Sequence, residues 1–141
     1  MKRYKIVKEF TLGDYKALIL NIFGHYNGYI GIPKNHPFFG KTYSEYQIYS
    51  LDVHGGVTYS ESNIADKEIP DTWWIGFDTA HYGDASNYDL YKELAETPED
   101  IKKIEKIKQI NDEFQKDATF KDLQFVINEI HKLSNQLREK E

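Results

Sequence analysis

The chain has 141 residues, 15% of them aromatic, and a formal net charge of −5. That length suits one domain with a real core, the aromatic content excludes a disordered chain, and the absence of cysteine excludes disulfides, thiolate metal sites and thiol nucleophiles. With no 18-residue apolar run, and a start, MKRYKIVKEF, that lacks the apolar core of a secretion signal, a soluble cytoplasmic protein is expected.

Residues 4–10 and 15–23 are rich in β-branched and aromatic residues and flank Leu12-Gly13-Asp14. They predict a β-hairpin, although Ala17, Leu18 and Leu20 make helix a competitor over 14–23. Residues 26–32 follow Gly24 and predict another strand. In it Gly28 and Gly31 leave room for close backbone approach. Pro33, His36-Pro37 and Gly40 mark a loop. Residues 46–54 alternate and predict a strand with Leu51 and Val53 toward the core and Asp52 and His54 away from it. Gly55-Gly56 permits a tight turn, and Val57 to Ser60 starts a return strand. Residues 61–72 predict an acidic loop. Residues 73–78 predict a strand with Trp73, Ile75 and Phe77 on one face and Trp74, Gly76 and Asp78 on the other. Residues 79–96 are irregular or partly helical.

The last third changes period. Thr97-Pro98-Glu99-Asp100 has the cap, the proline and the acids of a helix start. Ile101, Ile104, Ile107, Ile110 and Phe114 then recur at helical spacing. Thr119 with Asp122 predicts a second start, leading into the stripe Leu123, Val126, Ile127, Ile130, Leu133 and Leu137. The expected architecture is a single α+β domain over residues 1–141. It has an antiparallel or mixed sheet of four to six strands, then a C-terminal helical hairpin packed on one face. A coiled coil that dimerises is the other reading of the hairpin.

Charge is uneven. Residues 1–60 carry seven basic and four acidic side chains, residues 61–96 two and nine, and residues 97–141 nine and ten. An acidic middle disfavours direct binding to a nucleic-acid backbone, which requires a basic face. It suits a cation site or docking against a basic partner.

The chemistry concentrates between Leu51 and Asp84. His54, Asp78, His81 and Asp84 offer two imidazoles and two carboxylates, a donor set for a divalent metal. Alternatively His54, Asp78 and His81 serve as catalytic acid–base groups. Asp78 would orient His54, and Thr58 or Ser60 would be the nucleophile. No GxSxG elbow, Walker A or Rossmann fingerprint is present. A third reading is a binding surface: Gly55 and Gly56 admit a ligand to the backbone, while Thr58, Tyr59, Ser60 and Trp74, with the acids Asp66, Glu68 and Asp71, make contacts. Trp73 is the expected core member of the tryptophan pair and Trp74 the ligand-facing one.

Three stretches, GYIGIPKNHPFFGKTY (28–43), LDVHGGVTYS (51–60) and WWIGFDTAHYGD (73–84), carry a resemblance. In this order they resemble a family of small uncharacterised proteins encoded by phages and prophages, with the pattern GYVGxPxxHPxxGxxY, VHGGxTYS and WWxGFDxAHxGD. Many members carry Cys where this chain has Thr79, so a thiol there is not essential here. The resemblance implies an accessory protein acting in the host-cell cytoplasm. One such role is an anti-defence inhibitor that blocks the basic surface of a CRISPR effector or another host defence protein. Another is a protein that sequesters or degrades a signalling nucleotide.

Overall fold

The computed structural model describes residues 1–141. Strands β1 (Lys5–Leu12), β2 (Tyr15–Ile22) and β3 (His25–Pro33) form an antiparallel meander. Strand, not helix, therefore wins over 14–23. Between β2 and β3, Phe23 and Gly24 have φ of 52° and 82°, the pair of positive values that a type I′ turn needs. A Phe rarely sits there, and neighbouring chain holds it. Ser86 Oγ donates to the Phe23 carbonyl at 2.7 Å, and the Asn87 amide donates to the Gly24 carbonyl at 2.9 Å.

The sheet is completed out of sequence order. Strand β4 (Tyr59–Glu61) lies at the edge, and β7 (Thr72–Phe77) inserts between it and β3, giving β1-β2-β3-β7-β4, all antiparallel. Between them in the chain, β5 (Asn63–Ile64) and β6 (Lys67–Glu68) pair as a separate small hairpin. The expected strand over 46–54 does not form. Instead Tyr46–Tyr49 makes one helical turn, α1, and irregular chain follows. The Ile48 and Tyr49 amides donate to the Glu45 carbonyl, so a local turn satisfies backbone that has no sheet neighbour there. Ile48, Leu51 and Val53 are nonetheless buried.

Helix α2 (Tyr88–Lys92) precedes α3 (Pro98–Phe114) and α4 (Leu123–Glu139). Thr97 caps α3 as expected, its Oγ accepting the Asp100 amide at 3.2 Å. The second start is corrected. Asp122, not Thr119, caps α4, accepting the Phe125 amide at 2.8 Å. Thr119 instead makes a parallel bridge to Asp84.

Alternation along the strands sorts the core into two faces. On the first, Ile19, Ile30, Ile75 and Phe77 meet Val126, Ile130, Leu133 and Leu137 of α4. Gly28 makes that contact close: a Cβ there would lie 2.7 Å from the Phe77 ring and 3.0 Å from Ile130. On the second face, Leu18, Leu20, Tyr29 and Trp74 are covered by Ile64 of the β5–β6 hairpin. Helix α3 packs on α2, where Ile104 and Ile107 meet Tyr91 and Leu94, while Ile110 and Phe114 are exposed. No helix is long and apolar enough to cross a membrane.

Candidate functional site

The 51–56 loop, the 78–84 segment and the start of α4 converge beyond the end of β7. Phe77 fixes the end of that strand in the core, and the chain then turns through Asp78. Asp78 Oδ1 accepts the Ala80 amide at 3.0 Å, and Oδ2 accepts the Thr58 hydroxyl at 3.0 Å. Thr79 is buried and donates to the Tyr26 carbonyl at 2.9 Å, which makes this position a tie between the segment and β3.

Asp84 is the centre of the cluster. Its side chain is 2% exposed. It accepts from His54 Nε2 at 2.8 and 3.0 Å, from the His81 amide at 3.0 Å, and lies 3.0 Å from Lys121 Nζ. Burial alone drives this carboxyl up. The His54 hydrogen bond, the His81 amide and Lys121 together outweigh burial and hold it below its ordinary value. His54 itself stands edge-on to Phe125 at 5.2 Å, and its amide donates to Glu129 Oε1 at 2.8 Å.

This geometry corrects two expectations. His54 is oriented by Asp84, not by Asp78. The four proposed metal donors also divide into two pairs, because His81 Nε2 lies 3.0 Å from Asp78 Oδ1 while His54 belongs to Asp84. No three His, Asp or Glu side chains are placed to hold a metal ion together. The His81–Asp78 contact is not aligned as a hydrogen bond, which leaves His81 Nε2 buried and unpartnered. That ring lies over Gly55: with φ +70°, Gly55 has space for a hydrogen and none for a methyl, since a Cβ would fall 2.1 Å from His81 Nε2. Gly56, at φ +80°, faces open space.

The other expected site residues divide between surface and structure. Ser60 is buried and its Oγ accepts the Tyr43 amide at 2.9 Å, so it ties the 42–45 turn to the sheet and has no part at the imidazole cluster. Tyr59 is on the second face, edge-on to Tyr29 at 5.2 Å, with its hydroxyl donating to the Asn63 carbonyl. The tryptophan pair is reversed. Trp74 is only 3% exposed and belongs to the second core cluster, whereas Trp73 is half-buried and donates from Nε1 to the Lys41 carbonyl at 2.8 Å. Asp66, Glu68 and Asp71 are exposed on the hairpin side. Asp66 is already engaged, accepting from the Tyr4 hydroxyl at 2.7 Å and pairing with Arg3 at 3.3 Å. The imidazole cluster and the aromatic second face are thus separate features on opposite sides of the sheet.

Three residues of the cluster lie outside every motif. Lys121, Phe125 and Glu129 come from the helical third, where ordinary amphipathic spacing hides them. His25 is a fourth neighbour: its Nδ1 is buried without a partner, and burial holds the imidazole below its ordinary pKa against the opposing pull of the Thr79 backbone and the charges of Asp84 and Asp78. His36, expected as a loop residue, is buried. Its Nδ1 accepts the Phe38 amide at 2.9 Å, and Nε2 donates to the Leu137 carbonyl at 2.8 Å. It pins the 34–41 loop to the end of α4.

Compared with protein-family models, curated proteins and solved structures, the chain matches none of them.

Proposed function

We propose that this chain works by binding, as a phage-type accessory protein directed against a bacterial defence effector, and that it docks through the acidic flank of the 61–71 segment. The observation that carries the reading is the state of the acids there. Glu61 and Glu68 are exposed and make no ion pair, and Asp71 meets Lys34 only at 3.9 Å. Unpaired exposed acids on one flank create a field that accelerates encounter with a basic surface. By contrast, the carboxylates of the imidazole cluster are occupied by protein donors. That supports a role for the cluster in holding three segments together.

The test is a binding titration against a CRISPR effector complex whose nucleic-acid channel is basic. The triple variant Glu61→Lys, Glu68→Lys, Asp71→Lys is expected to weaken binding at least 100-fold, and added salt to weaken wild-type binding steeply. Folded His54→Ala should bind as wild type does. Binding that survives the charge reversal would reject the proposed surface.

A second reading rests on His54. With Nε2 held by Asp84, Nδ1 is the ring nitrogen left for proton transfer. It requires hydrolysis of a nucleotide phosphoester by the purified protein, abolished in His54→Ala and reduced in Asp84→Asn.

A further inference from the structure

We infer that the outer strip of α3 is a self-association surface, and that its occupant is the α3 of a second copy of this chain in antiparallel orientation. The inner side of this helix is fixed to α2. Ile104 and Ile107 pack on Tyr91 and Leu94, and Asn111 donates to the Tyr88 hydroxyl at 2.9 Å. Beside that side, Lys103, Lys106, Ile110, Glu113 and Phe114 recur three and four residues apart, so they share one strip, and all are exposed. Ile110 is 56% and Phe114 81% exposed, which leaves two large apolar side chains next to each other on the surface. The seam belongs to α3, because Val126, Ile130, Leu133 and Leu137 of α4 are buried in the core.

Charge selects the occupant and its direction. Residues 102–108 carry four lysines and one acid, and residues 109–117 carry three acids and one lysine. The last turn of α3 therefore holds acids and no basic residue, where the helix dipole favours a cation. Lys92 pairs with Glu105 and Lys108 with Asp112, whereas Lys103, Lys106, Glu113 and Asp117 make no ion pair. A second α3 laid antiparallel supplies the missing partners. With the two-fold axis at Ile110, the two Ile110 side chains meet. Lys106 of each copy covers Phe114 of the other and reaches its Glu113, while Lys103 faces Asp117. A parallel pairing would set lysines against lysines and acids against acids. The antiparallel pairing uses the same strip on both copies, so association closes at a dimer. The apolar area is small, which places the contact among weak, transient interfaces. This surface is separate from the acidic flank of the 61–71 segment and from the imidazole cluster.

Sedimentation equilibrium of the full chain, between about 10 μM and about 1 mM, is the test. The wild-type mass is expected to rise from monomer toward dimer across that range, and added salt to oppose the rise. Lys106→Glu alone and Glu113→Lys alone should each weaken association about tenfold, because each sets like charges together. Mixed in equal amounts, the two variants should associate as wild type does, since every Lys–Glu position then pairs opposite charges. Phe114→Ser should also weaken association about tenfold while leaving the urea midpoint unchanged. A wild-type chain still monomeric at the highest concentration overturns the proposal and leaves the strip to a foreign partner. So does a dimer that survives Phe114→Ser, which would lie on another surface, the acidic flank included. A mixture of the two charge variants that associates no better than either alone overturns it as well.

Discussion

Asp84→Asn tests the central contact of the imidazole cluster. The substitution keeps the shape and an acceptor for His54 and the His81 amide, and it removes the negative charge 3.0 Å from Lys121. Hydrogen bonds to charged groups contribute about 1.5–3 kcal/mol, and removing one partner of a buried ion pair costs about 3–5 kcal/mol. Lys121 retains 18% of its side-chain exposure, which places the loss near the low end, about 3 kcal/mol at pH 7. For a chain of this size that is a fall in Tm of about 10 °C. The pH dependence has a definite sign. The folded-state pKa of Asp84 is depressed, so its contribution is complete above the unfolded value of about 4 and is lost as pH falls through the folded value. Urea unfolding followed by far-UV circular dichroism at pH 7, 5, 4 and 3 reads both effects. Wild type and variant should differ most at neutral pH and converge in acid. A difference below about 1 kcal/mol at pH 7, on the scale of an exposed pair, or one unchanged at pH 3, refutes the assignment.

Gly55→Ala and Gly56→Ala form a matched pair. Both positions have positive φ, but only Gly55 faces the His81 ring, so Gly56→Ala should cost about 1 kcal/mol and Gly55→Ala about 3 kcal/mol, measured by the same unfolding experiment. His25 has a depressed folded-state pKa, so its neutral form contributes stability that is complete above about pH 6.5 and declines as pH falls through the lower folded value. Its ring proton resonance in an NMR titration should have a midpoint below the ordinary imidazole value of about 6.5, and an equal or higher midpoint would contradict its burial.

The parts of the fold that were readable from sequence are those set by local pattern. The first three strands follow from β-branched runs separated by two-residue turns, and the face assignment along β7 follows from alternation, with Ile75 and Phe77 on one cluster and Trp74 on the other. What alternation does not contain is which face is covered more deeply. The second face is roofed by strands of two residues each, too short to produce a period, and this is why the exposed and buried members of the tryptophan pair were exchanged. Residues 46–54 misled for a related reason. Leu51 and Val53 fit a strand as well as a loop, but Ile48, three residues before Leu51, would face away from them in a strand and is buried beside them only because a helical turn precedes the loop; the deciding factor, the lack of a neighbouring strand, lies elsewhere in the chain. The convergence of His54 with the 78–84 segment was legible from the density of polar groups. Its true partner was not, because Asp78 and Asp84 differ only in which way the intervening turn points, and Lys121 enters from a helix start that carries no motif.

The insertion of β7 between β3 and β4 has a consequence for synthesis on the ribosome. The first three strands can zip together as they emerge, because each adjoins the last. Strand β4 leaves the ribosome before the strand it must pair with, and β3 keeps an open flank until residues 72–77 arrive. For about forty residues of elongation the nascent ribbon therefore presents unpaired backbone that invites other strands. Pro33 at the end of β3 and the proline-punctuated stretch after it limit how far a foreign strand can extend along that flank.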